Sequence, residues 1–493
     1  MSYLMARPLI ADQGKIRLWV GLFDVATVPD ITFSLGGKDW RPIDSEGLFP
    51  IRDDTNLAGA PRNYQGVYTF AAANHNQEHY ITVAAGGTAT PFEIRVKSLP
   101  AKVSSEPRDS FKILLASCYC VSTDKTDVGD FVDRLKIKPD IALFAGDQVY
   151  LDQPPAQTMP SAPDALRGEI SIKYRRNWLS RWTGQSGLQK ALAKAPAICL
   201  PDDHEYWNNY PWEQFWKRGT QHKPTATGWN DWDDAAGELF QDYQLGGKPG
   251  AQQAWTTLDI DPLCLLFIDT RSHRLLDFGS PVGLMPAAAN QALVDWKDKL
   301  IAHQRNGTPH IGVLATGQSL LSEPSRFPKL KDAELANYEE HYSMILGVLE
   351  ELAVNRIQVV LLTGDVHWNR VAQAHSRRTF RTCLTEVICS PSSLCEIPVL
   401  DQWASIKNKF KKFFGADETW FRHFEPKAFT HPVGKARQFL PDGDRMTRWK
   451  GNHIAIIEFI KLGGGAKMKV TYHPLTSPPS LSASTGFYSL LNT

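Results

Sequence analysis

Residues 141–152 read IALFAGDQVYLD, and this stretch decides the fold that the sequence predicts. An apolar run typical of a buried strand ends at Gly146 and is followed by Asp147 and Tyr150. In open α/β sheets, ligands bind beyond the carboxyl ends of the strands. We therefore expect a carboxylate and a phenol oxygen at one edge of a sheet, where chemistry can take place.

Three other apolar runs end in the same way, each on side chains that can bind a metal ion. They are FKILLASC, which ends on Cys118, AICLPDDHE, which includes Asp203 and His204, and IQVVLLTGDVH, which includes Asp365 and His367. Taken alone, each residue has a simpler explanation as a buried cysteine, a core tyrosine, or an aspartate in a turn or helix cap. Four such endings in one chain instead predict a metal site.

Asp147 is the residue best placed to bridge two metal ions. Two-metal hydrolases hold their cations about 3.5–4 Å apart, which requires a shared carboxylate. Cys118 and Tyr150 are less common partners, because a thiol and a phenol lose their protons only near a strong Lewis acid. Together the three residues favour Fe³⁺, or a similarly polarising ion, in one half of the site.

The other half of the predicted site would bind a divalent cation. Asp203 and Asp365 offer oxygen ligands of the kind that suits Ca²⁺, Mn²⁺ or Mg²⁺. His367 offers a neutral nitrogen to whichever ion lies nearer. The sequence thus predicts a mixed set of sulfur, oxygen and nitrogen ligands.

The composition is typical of a soluble globular enzyme and argues against nucleic acid as a bulk partner. Of the 493 residues, 42% are hydrophobic and 22% are charged, which are ordinary values for such proteins. The net charge is +1, whereas nucleic-acid-binding proteins usually carry a large positive excess. The length allows either one large core or two domains.

Cysteine usage and the N-terminal sequence predict a cytoplasmic protein without a transmembrane segment. The 7 cysteines are odd in number and mostly lie in apolar runs, which is typical of a reducing compartment. The first residues, MSYLMARPLIADQGK, contain neither a sustained apolar segment nor a twin-arginine pair, so no export signal is evident. No run reaches the roughly 20 apolar residues that a membrane span needs.

A change in sequence pattern near residue 100 predicts two domains. Residues 1–100 alternate between apolar and polar, as in KIRLWVGLF and PFEIRVKSL, which predicts a small all-β sandwich of the immunoglobulin or fibronectin III kind. Pro100 to Pro107 is predicted to be a linker. Residues 101–493 form the second domain, in which continuous apolar strands alternate with helical patterns, as in α/β proteins.

Within the second domain, helical periodicity is clearest over residues 335–352 and recurs around Leu293, Trp296 and Leu300. HIAIIEF and KMKVTYH alternate instead and predict antiparallel strands that close a sheet.

Two further segments have two explanations each. The aromatic stretch 206–232 could cover the site and stack on a substrate, although we favour a satellite hydrophobic cluster. The basic stretch 401–414 could dock on an anionic surface, although we favour a core-packed helix with a solvated face.

Five short motifs combine the candidate residues in a fixed order. They are Ser117-Cys118, Gly146-Asp147-Gln148-Val149-Tyr150, Asp202-Asp203-His204-Glu205, Asp269-Thr270-Arg271 and Thr363-Gly364-Asp365-Val366-His367. In this order they resemble the PhoD-like alkaline phosphatases, a family of calcineurin-like metallophosphoesterases, over about residues 110–400. The set as a whole is highly specific, whereas GDxxY by itself also resembles the purple acid phosphatases.

The resemblance implies a four-layer α/β fold, with two packed mixed sheets flanked by helices and preceded by the small sandwich domain. It also implies Fe³⁺ and a divalent cation, with Ca²⁺ ahead of Mn²⁺, Mg²⁺ or Zn²⁺. The implied ligands are Cys118, Asp147 and Tyr150 for the iron, with Asp147 bridging, and Asp203 and Asp365 for the divalent ion. His367 matches the final histidine of the last motif.

The resemblance also assigns catalytic and substrate-binding roles. His204 matches the position of the general acid in related enzymes, beside Asp203; its alternative role is to hold the turn of the DDHE motif. The guanidinium of Arg271 suits a phosphate, and its alternative role is an ion pair with Asp269 or a neighbouring acid. Asn208 is a further candidate for substrate binding.

The activity that the resemblance implies is metal-dependent hydrolysis of a small-molecule phosphodiester, phosphomonoester or both. The alternative is a catalytically inactive binding or scaffold protein on the same fold, since fold does not imply function. Hydrolysis of an amide is a third hypothesis, but no HExxH pattern supports it. Many PhoD-like enzymes are exported by the twin-arginine route, so the missing export signal argues against extracellular phosphate scavenging.

Overall fold

A computed structural model describes most of the chain. The described residues are 2–53, 62–72, 74–154, 160, 162–212, 230–250, 253–321, 333–376, 378–379, 382–395, 439–441, 447–449, 451–463, 465–476 and 482–490. Within these ranges the protein is of mixed α/β type, with several sheets and few helices. None of the helices described there combines the length and hydrophobicity that crossing a membrane requires.

The first 100 residues are rich in strands, as their alternation predicts. The strands are β1 Tyr3–Leu9, β2 Lys15–Phe23, β3 Ile31–Leu35, β4 Lys38–Asp39, β5 Asp44–Ser45, β6 Phe49–Pro50, β7 Tyr64–Ala71, β8 Glu78–Ala85 and β9 Phe92–Lys97. Four of them form an antiparallel sheet in the order β4-β3-β8-β9. Phe33 of this sheet packs on Tyr68 and Phe70 of β7, with ring centroids 4.8 and 4.9 Å apart, so two sheets contact each other here.

The remaining residues alternate between strands and helices before ending in strands. The elements are β10 Phe111–Ala116, α1 Val128–Arg134, β11 Ile141–Ala145, α2 Pro163–Trp178, α3 Ser180–Thr183, α4 Gln189–Leu192, β12 Ala197–Leu200, α5 Asn230–Phe240, β13 Trp255–Ile260, β14 Leu263–Ile268, α6 Ala287–Arg305, β15 Ile311–Ala315, α7 Glu339–Val354, β16 Val359–Thr363, β17 Asn369–Ser376, β18 Thr382–Ile388, β19 Phe439–Pro441, β20 Thr447–Trp449, β21 His453–Leu462, β22 Gly465–Pro474, β23 Ala483–Ser484 and β24 Tyr488–Ser489. The two helices predicted from periodicity are α6 and α7, and the predicted late antiparallel strands are β21 and β22.

Two large mixed sheets carry most of these strands. The first has the order β23-β22-β21-β10-β11-β12-β1-β2-β7-β5, with β24 beside β22 and β6 beside β7. The second has the order β13-β14-β15-β16-β18-β17-β19, with β20 beside β17. In the centre of the first sheet β10, β11 and β12 are parallel, and in the second β14, β15, β16 and β18 are parallel. Parallel strands end at the same edge, so each sheet has one edge suited to a site.

The first sheet crosses the predicted domain boundary near residue 100. Strand β1 pairs in parallel with β12 through Leu9 and Ala197, and β2 and β7 extend the same sheet. Strand β2 is also buried on both faces: Trp19, on the face opposite Leu18 and Val20, is fully buried, and its Nε1 donates to the Asp242 carbonyl at 3.0 Å. Alternation in a sequence identifies the two faces of a strand, but it does not specify which elements cover them.

Three hydrophobic clusters surround the two large sheets. One joins residues of β10 and β11 to residues of β14, β15 and β16, so it lies between the sheets. A second joins the N-terminal strands to α2, α4 and α5, and a third joins the second sheet to α6 and α7. Helix α7 shows how the pattern arises, because Tyr342, Ile345, Leu349 and Leu352 step by three and four residues along its buried side.

Candidate metal centre

Two glycines allow the strand ends around the site to approach closely, one between the two sheets and one between neighbouring strands of the first sheet. A Cβ on Gly364, just after β16, would lie 2.3 Å from the carbonyl oxygen of Ala145 at the end of β11. A Cβ on Gly146 would lie 2.6 Å from the Cβ of Asp202, and Gly146 has a φ of +91°. Larger residues at these positions would push the strand ends apart, so the glycines set the spacing of the site.

Four carboxylates meet where the strands end. Asp147, Asp202, Asp203 and Asp365 each offer an oxygen, and these oxygens all lie within 4.8 Å of one another. Ligand atoms of Asp147, Asp203 and His204 form a second, overlapping group within the same distance. Burial, followed by repulsion from Asp203 and Asp202, raises the pKa of Asp147 well above its usual value. A bound cation would stabilise the charged forms of carboxylates held this closely.

Asp203 has the opposite electrostatic balance to Asp147. Burial acts to raise the pKa of Asp203, but the positive charges of His204 and Arg271 outweigh it and lower that pKa. The carboxylate of Asp203 also accepts a hydrogen bond from the backbone N–H of Asn209. Asp203 therefore ionises more readily than Asp147.

Cys118 lies directly against the carboxylates, as the motif order predicts. Its Sγ is 3.4 Å from Oδ2 of Asp147, and the Ser390 hydroxyl donates to it at 3.1 Å. Burial and the charge of Asp147 raise the pKa of the Cys118 thiol well above its usual value. A thiolate would form here when a cation offsets that charge.

Tyr150 presents a buried hydroxyl at the same site. Its ring stacks on His204, with centroids 4.0 Å apart, and its Oη has no hydrogen-bond partner among the described residues. Burial, followed by the charges of Cys118 and Asp147, raises the pKa of this phenol well above its usual value. Buried hydroxyls normally have a partner, so the phenol oxygen fits the position of a metal ligand.

The backbone is strained at most of the predicted ligands. Among the described residues, positive φ angles occur at Cys118 (50°), Asp147 (58°), Asp365 (66°) and His367 (56°). Non-glycine residues rarely adopt such angles, and each costs of order 1 kcal/mol or more unless the surroundings enforce it. Strain of this kind concentrates at functional sites, where it directs side chains to a common point.

Asp365 and His367 lie at the open side of the cluster. Oδ2 of Asp365 accepts a hydrogen bond from Nε2 of Gln318 at 3.1 Å. The His367 backbone N–H donates to the Ser390 hydroxyl at 3.2 Å, and its side chain stays exposed. Desolvation by the surrounding protein, with a further contribution from His204, lowers the pKa of His367 to about 4, although its exposure limits this effect. The imidazole is therefore neutral at pH 7 and can bind a metal ion through a ring nitrogen.

Glu205, to which the sequence analysis gave no role, holds the two main loops of the site together. Its Oε2 accepts the backbone N–H groups of Asp147 and Asp202, both at 2.9 Å, and its Oε1 accepts that of Gln148 at 2.6 Å. Gln244 donates to Oε1 from another direction at 3.1 Å. Burial raises the pKa of Glu205 to about 7, although these hydrogen bonds lower it. In the sequence, only the position of Glu205 in the acidic DDHE motif pointed to a role. That position did not indicate which N–H groups Glu205 would bind.

Asp152 is a second residue whose role the sequence analysis missed. Its Oδ1 lies 2.7 Å from Nδ1 of His204, and its Oδ2 accepts the backbone N–H of Asn208 at 2.9 Å. A carboxylate at Nδ1 fixes the orientation of an imidazole and stabilises its protonated form. The Nε2 of His204 is then the atom that can exchange a proton with a substrate. Asp152 ends the stretch IALFAGDQVYLD, close to Asp147 and Tyr150 in the sequence. This closeness could have indicated that Asp152 lies near the site.

Of the two predicted substrate-binding residues, Arg271 has side-chain partners within the protein. The Nε of Arg271 donates to Oδ1 of Asp202 at 2.5 Å, and its Nη1 donates to the Tyr210 carbonyl at 2.8 Å. The side chain of Arg271 is fully buried, as its alternative role in an ion pair with a neighbouring acid requires. The side chain of Asn208 is half-buried beside the site. Contact of either residue with a phosphate stays a prediction.

The aromatic stretch after the DDHE motif is packed in its described part. Tyr206, Trp207, Tyr210 and Trp212 are all buried, and the rings of Tyr206 and Tyr210 stack with centroids 4.2 Å apart. These contacts agree with a satellite hydrophobic cluster. Residues 213–229 and the basic stretch 401–414 lie outside the described residues, so docking on an anionic surface stays a prediction.

Comparisons with known proteins agree with this geometry. Residues 116–299 match the family model described as PhoD-like phosphatase. A solved structure described as "Structure of PhoD" aligns with a TM-score of 0.54 and 12% identity, over 98% of this chain and 92% of that chain. The chain thus resembles the PhoD-like phosphatases over residues 116–299. The predicted resemblance is thus confirmed, and the family implies a metal-dependent hydrolase.

Other comparisons add nothing to this assignment. A beta-glucuronidase from Lactobacillus rhamnosus aligns with a TM-score of 0.21 and 10% identity, over 74% of this chain and 61% of that chain. That score is too low to support an argument about fold or function. No curated protein matches the sequence.

Proposed function

We propose that this PhoD-like protein hydrolyses phosphate esters of small molecules in a metal-dependent reaction. The observation that carries the proposal is the Tyr150 hydroxyl, which is buried beside the carboxylate group and has no hydrogen-bond partner in the described part of the chain. An unsatisfied buried donor costs about 1–3 kcal/mol. Ligation of a metal by the phenol oxygen accounts for its position.

The donor set supports two unlike cations. Cys118, Asp147 and Tyr150 would hold Fe³⁺, since a thiolate and a phenolate favour a strongly polarising ion. Asp203 and Asp365 would hold a divalent cation; carboxylate oxygen suits Ca²⁺, Mn²⁺ or Mg²⁺, and the resemblance to the PhoD-like enzymes puts Ca²⁺ first. Asp147 would bridge, as its oxygens face both Cys118 and the main-chain N–H of His204.

The residues of the site would divide the chemistry between them. Bound cations supply Lewis acidity, which polarises a phosphoryl oxygen and lowers the pKa of a water molecule. His204 would donate a proton from Nε2 to the departing oxygen, while Asp152 holds Nδ1 in place. Glu205 would hold the loops of Asp147 and Asp202 in a fixed position relative to each other.

We also infer the four-layer arrangement, with helices on the outer faces of two packed sheets. The membership of the three hydrophobic clusters supports it, because one contains residues of both sheets and the other two combine a sheet with helices. The N-terminal strands would then be an extension of the first sheet that a second, small sheet covers.

Metal analysis combined with paired assays tests the proposed function. The purified protein should contain iron and a divalent cation and should hydrolyse p-nitrophenyl phosphate, its bis ester, or both. Asp147→Asn should abolish both the turnover and the iron content. Asp140→Asn serves as a matched control, because Asp140 is equally buried but binds Lys97 and the N–H of Lys112 away from the site.

The outcomes separate the hypotheses. Full turnover by Asp147→Asn at ordinary metal concentrations would contradict the bridging role. A metal-loaded wild-type protein that hydrolyses neither ester would instead favour the inactive binding or scaffold protein. The ratio of the two ester activities decides between diester and monoester preference.

A further inference from the structure

A second cluster of metal-binding side chains lies at the opposite end of the second sheet. Ligand atoms of Cys264, His303 and His310 all lie within 4.8 Å of one another. Cys264 is near the start of β14 and pairs with Gly312 at the start of β15, whereas the candidate metal centre follows the other ends of these parallel strands. At 3.3 Å per residue, the length of strand β15 places about 13 Å between this cluster and the candidate metal centre. The cluster is therefore not part of the centre described above.

Hydrogen bonds set both imidazoles in the form that binds metals. The Nδ1 of His310 lies 2.7 Å from the carbonyl oxygen of Thr308, which can only accept, so Nδ1 carries a proton. The hydroxyl of Thr308 donates to the His303 carbonyl at 3.2 Å and lies 3.4 Å from Nδ1 of His303, so it accepts there. Each histidine then has its lone pair on Nε2. Metal-binding histidines are usually oriented in this way by a partner at the other nitrogen.

The two histidine rings also stack on each other. Their centroids lie 3.8 Å apart at an interplanar angle of 27°, so the two side chains are held side by side. Desolvation, followed by the charge of His310 and of Lys299, lowers the pKa of His303. Neutral imidazoles are the forms that bind metal ions.

Asp261 offers a fourth ligand from the turn between β13 and β14. Its Oδ1 is 3.8 Å from Nε2 of His310, which is too long for a hydrogen bond. Two ligands of a tetrahedral zinc ion with bonds of about 2.0–2.2 Å are about 3.3–3.6 Å apart, so a small shift would bring both atoms to one ion. The other oxygen of Asp261 is occupied by Lys461 at 2.5 Å.

The charged side chains near the cluster are paired, so they do not create a net positive charge that would repel a cation. Asp259 pairs with Lys299, as Asp261 does with Lys461, so carboxylates and ammonium groups offset one another. Burial, followed by the charge of Asp259, raises the pKa of the Cys264 thiol. The thiol is therefore protonated before metal binds, and its ionisation on binding would add the negative charge that a divalent cation requires.

We propose that Cys264, His303, His310 and Asp261 form a structural Zn²⁺ site. One sulfur, two imidazole nitrogens and a carboxylate oxygen are a ligand set that Zn²⁺ accepts in tetrahedral geometry. On binding, the S–H bond of Cys264 breaks, its proton passes to solvent, and the sulfur binds the metal. The ion would connect the last turn of α6, the start of β15 and the β13–β14 turn, at the edge of the second sheet.

The test measures zinc in the full chain, independently of hydrolysis. Wild-type protein, His303→Gln and His310→Gln would be purified from zinc-supplemented medium without chelators and titrated with Zn²⁺ after mild chelation. We expect wild type to carry about one more zinc per chain than either variant, and the variants to bind that zinc at least about 100-fold more weakly. Hydrolysis of phosphate esters by both variants should match wild type, since neither histidine lies at the candidate metal centre.

Cobalt identifies the sulfur ligand. In protein reconstituted with Co²⁺, a thiolate-to-cobalt absorption band from this site should disappear in Cys264→Ser and persist in Cys118→Ser. Cys383→Ser is the matched control for substitution of a buried cysteine in the same sheet, and its band should also persist. Equal zinc content and affinity in wild type and both histidine variants, or a cobalt band that depends on Cys118 and not on Cys264, would overturn the proposal.

Discussion

Glu205→Gln tests whether one buried carboxylate holds the metal-binding loops together. Oε2 of Glu205 accepts two backbone N–H groups, from Asp147 and Asp202, and Oε1 accepts the N–H of Gln148 and the amide of Gln244. Glutamine replaces one oxygen with an NH₂ group, which can only donate. In either orientation of the glutamine amide, at least two of these N–H groups would therefore face the NH₂ group and lose their acceptor.

The cost of this change follows from the hydrogen bonds that are lost. Above pH 7, where Glu205 is charged, a hydrogen bond to its carboxylate contributes about 1.5–3 kcal/mol, so the loss of two predicts a destabilisation of about 3–6 kcal/mol. That is a large part of the roughly 5–15 kcal/mol by which proteins of this kind are stable. Because the loops of Asp147 and Asp202 lose their common acceptor, we also expect weaker metal binding and slower hydrolysis.

Urea unfolding of the metal-loaded protein, together with metal titration, measures both effects. Glu386→Gln is the matched control, because Glu386 is also fully buried and accepts hydrogen bonds from Ser319, Leu320 and Arg370, none of them a predicted ligand. The control should lose stability but bind metal as wild type does. A Glu205→Gln protein with wild-type stability and metal affinity would refute the reasoning.

Three further substitutions have expected outcomes. Tyr150→Phe should bleach the visible band that a tyrosinate–Fe³⁺ pair produces while leaving the fold intact; a colourless wild-type protein that contains only zinc and is fully active would contradict the iron assignment. His204→Ala should slow hydrolysis of an alkyl ester far more than that of a nitrophenyl ester, within the 10²- to 10⁴-fold range typical of general acids; equal losses on both esters, with loss of metal, would instead show a structural role. Gly364→Ala should lower the unfolding free energy by about 1–3 kcal/mol or more and disturb metal binding, because its Cβ would clash with Ala145; unfolding and metal titration together would show whether the strand ends have separated.

The positions of the candidate ligands could be predicted because they depend on local sequence. An apolar run that stops on a polar residue marks the end of a buried strand, and parallel strands bring such ends to one edge. Asp147 and Asp365 follow β11 and β16 in the two sheets, and their carboxylates meet as expected. Periodicity located α6 and α7 for the same reason, since it reports the side of a helix that is buried.

Long-range partners could not be predicted from these signals. The pairing of β1 with β12 depends on which strand edge is available, and nothing in the alternation of residues 1–100 specifies it. Glu205 and Asp152 act through hydrogen bonds to residues about 50 positions away in the chain. The ligands of the proposed zinc site are likewise spread over β14, α6 and the start of β15, with no motif spacing to connect them.

Removal of the metals gives a further prediction that follows from charge. Three carboxylates, a thiolate and a phenolate, from Asp147, Asp203, Asp365, Cys118 and Tyr150, would carry five negative charges, which equals the positive charge of one ferric and one divalent ion. In the metal-free protein the thiol and the phenol stay protonated, so the repulsion that remains is between carboxylates. Their oxygens lie within 4.8 Å of one another, and two charges at that distance repel by about 3 kcal/mol at an effective dielectric constant of 20. Chelation should therefore lower the melting temperature of wild type markedly. Asp147→Asn removes one buried charge, so its metal-free form should melt above metal-free wild type while gaining less from added metal. If metal-free wild type and metal-free Asp147→Asn melt at the same temperature, repulsion among the carboxylates does not govern the stability of this site.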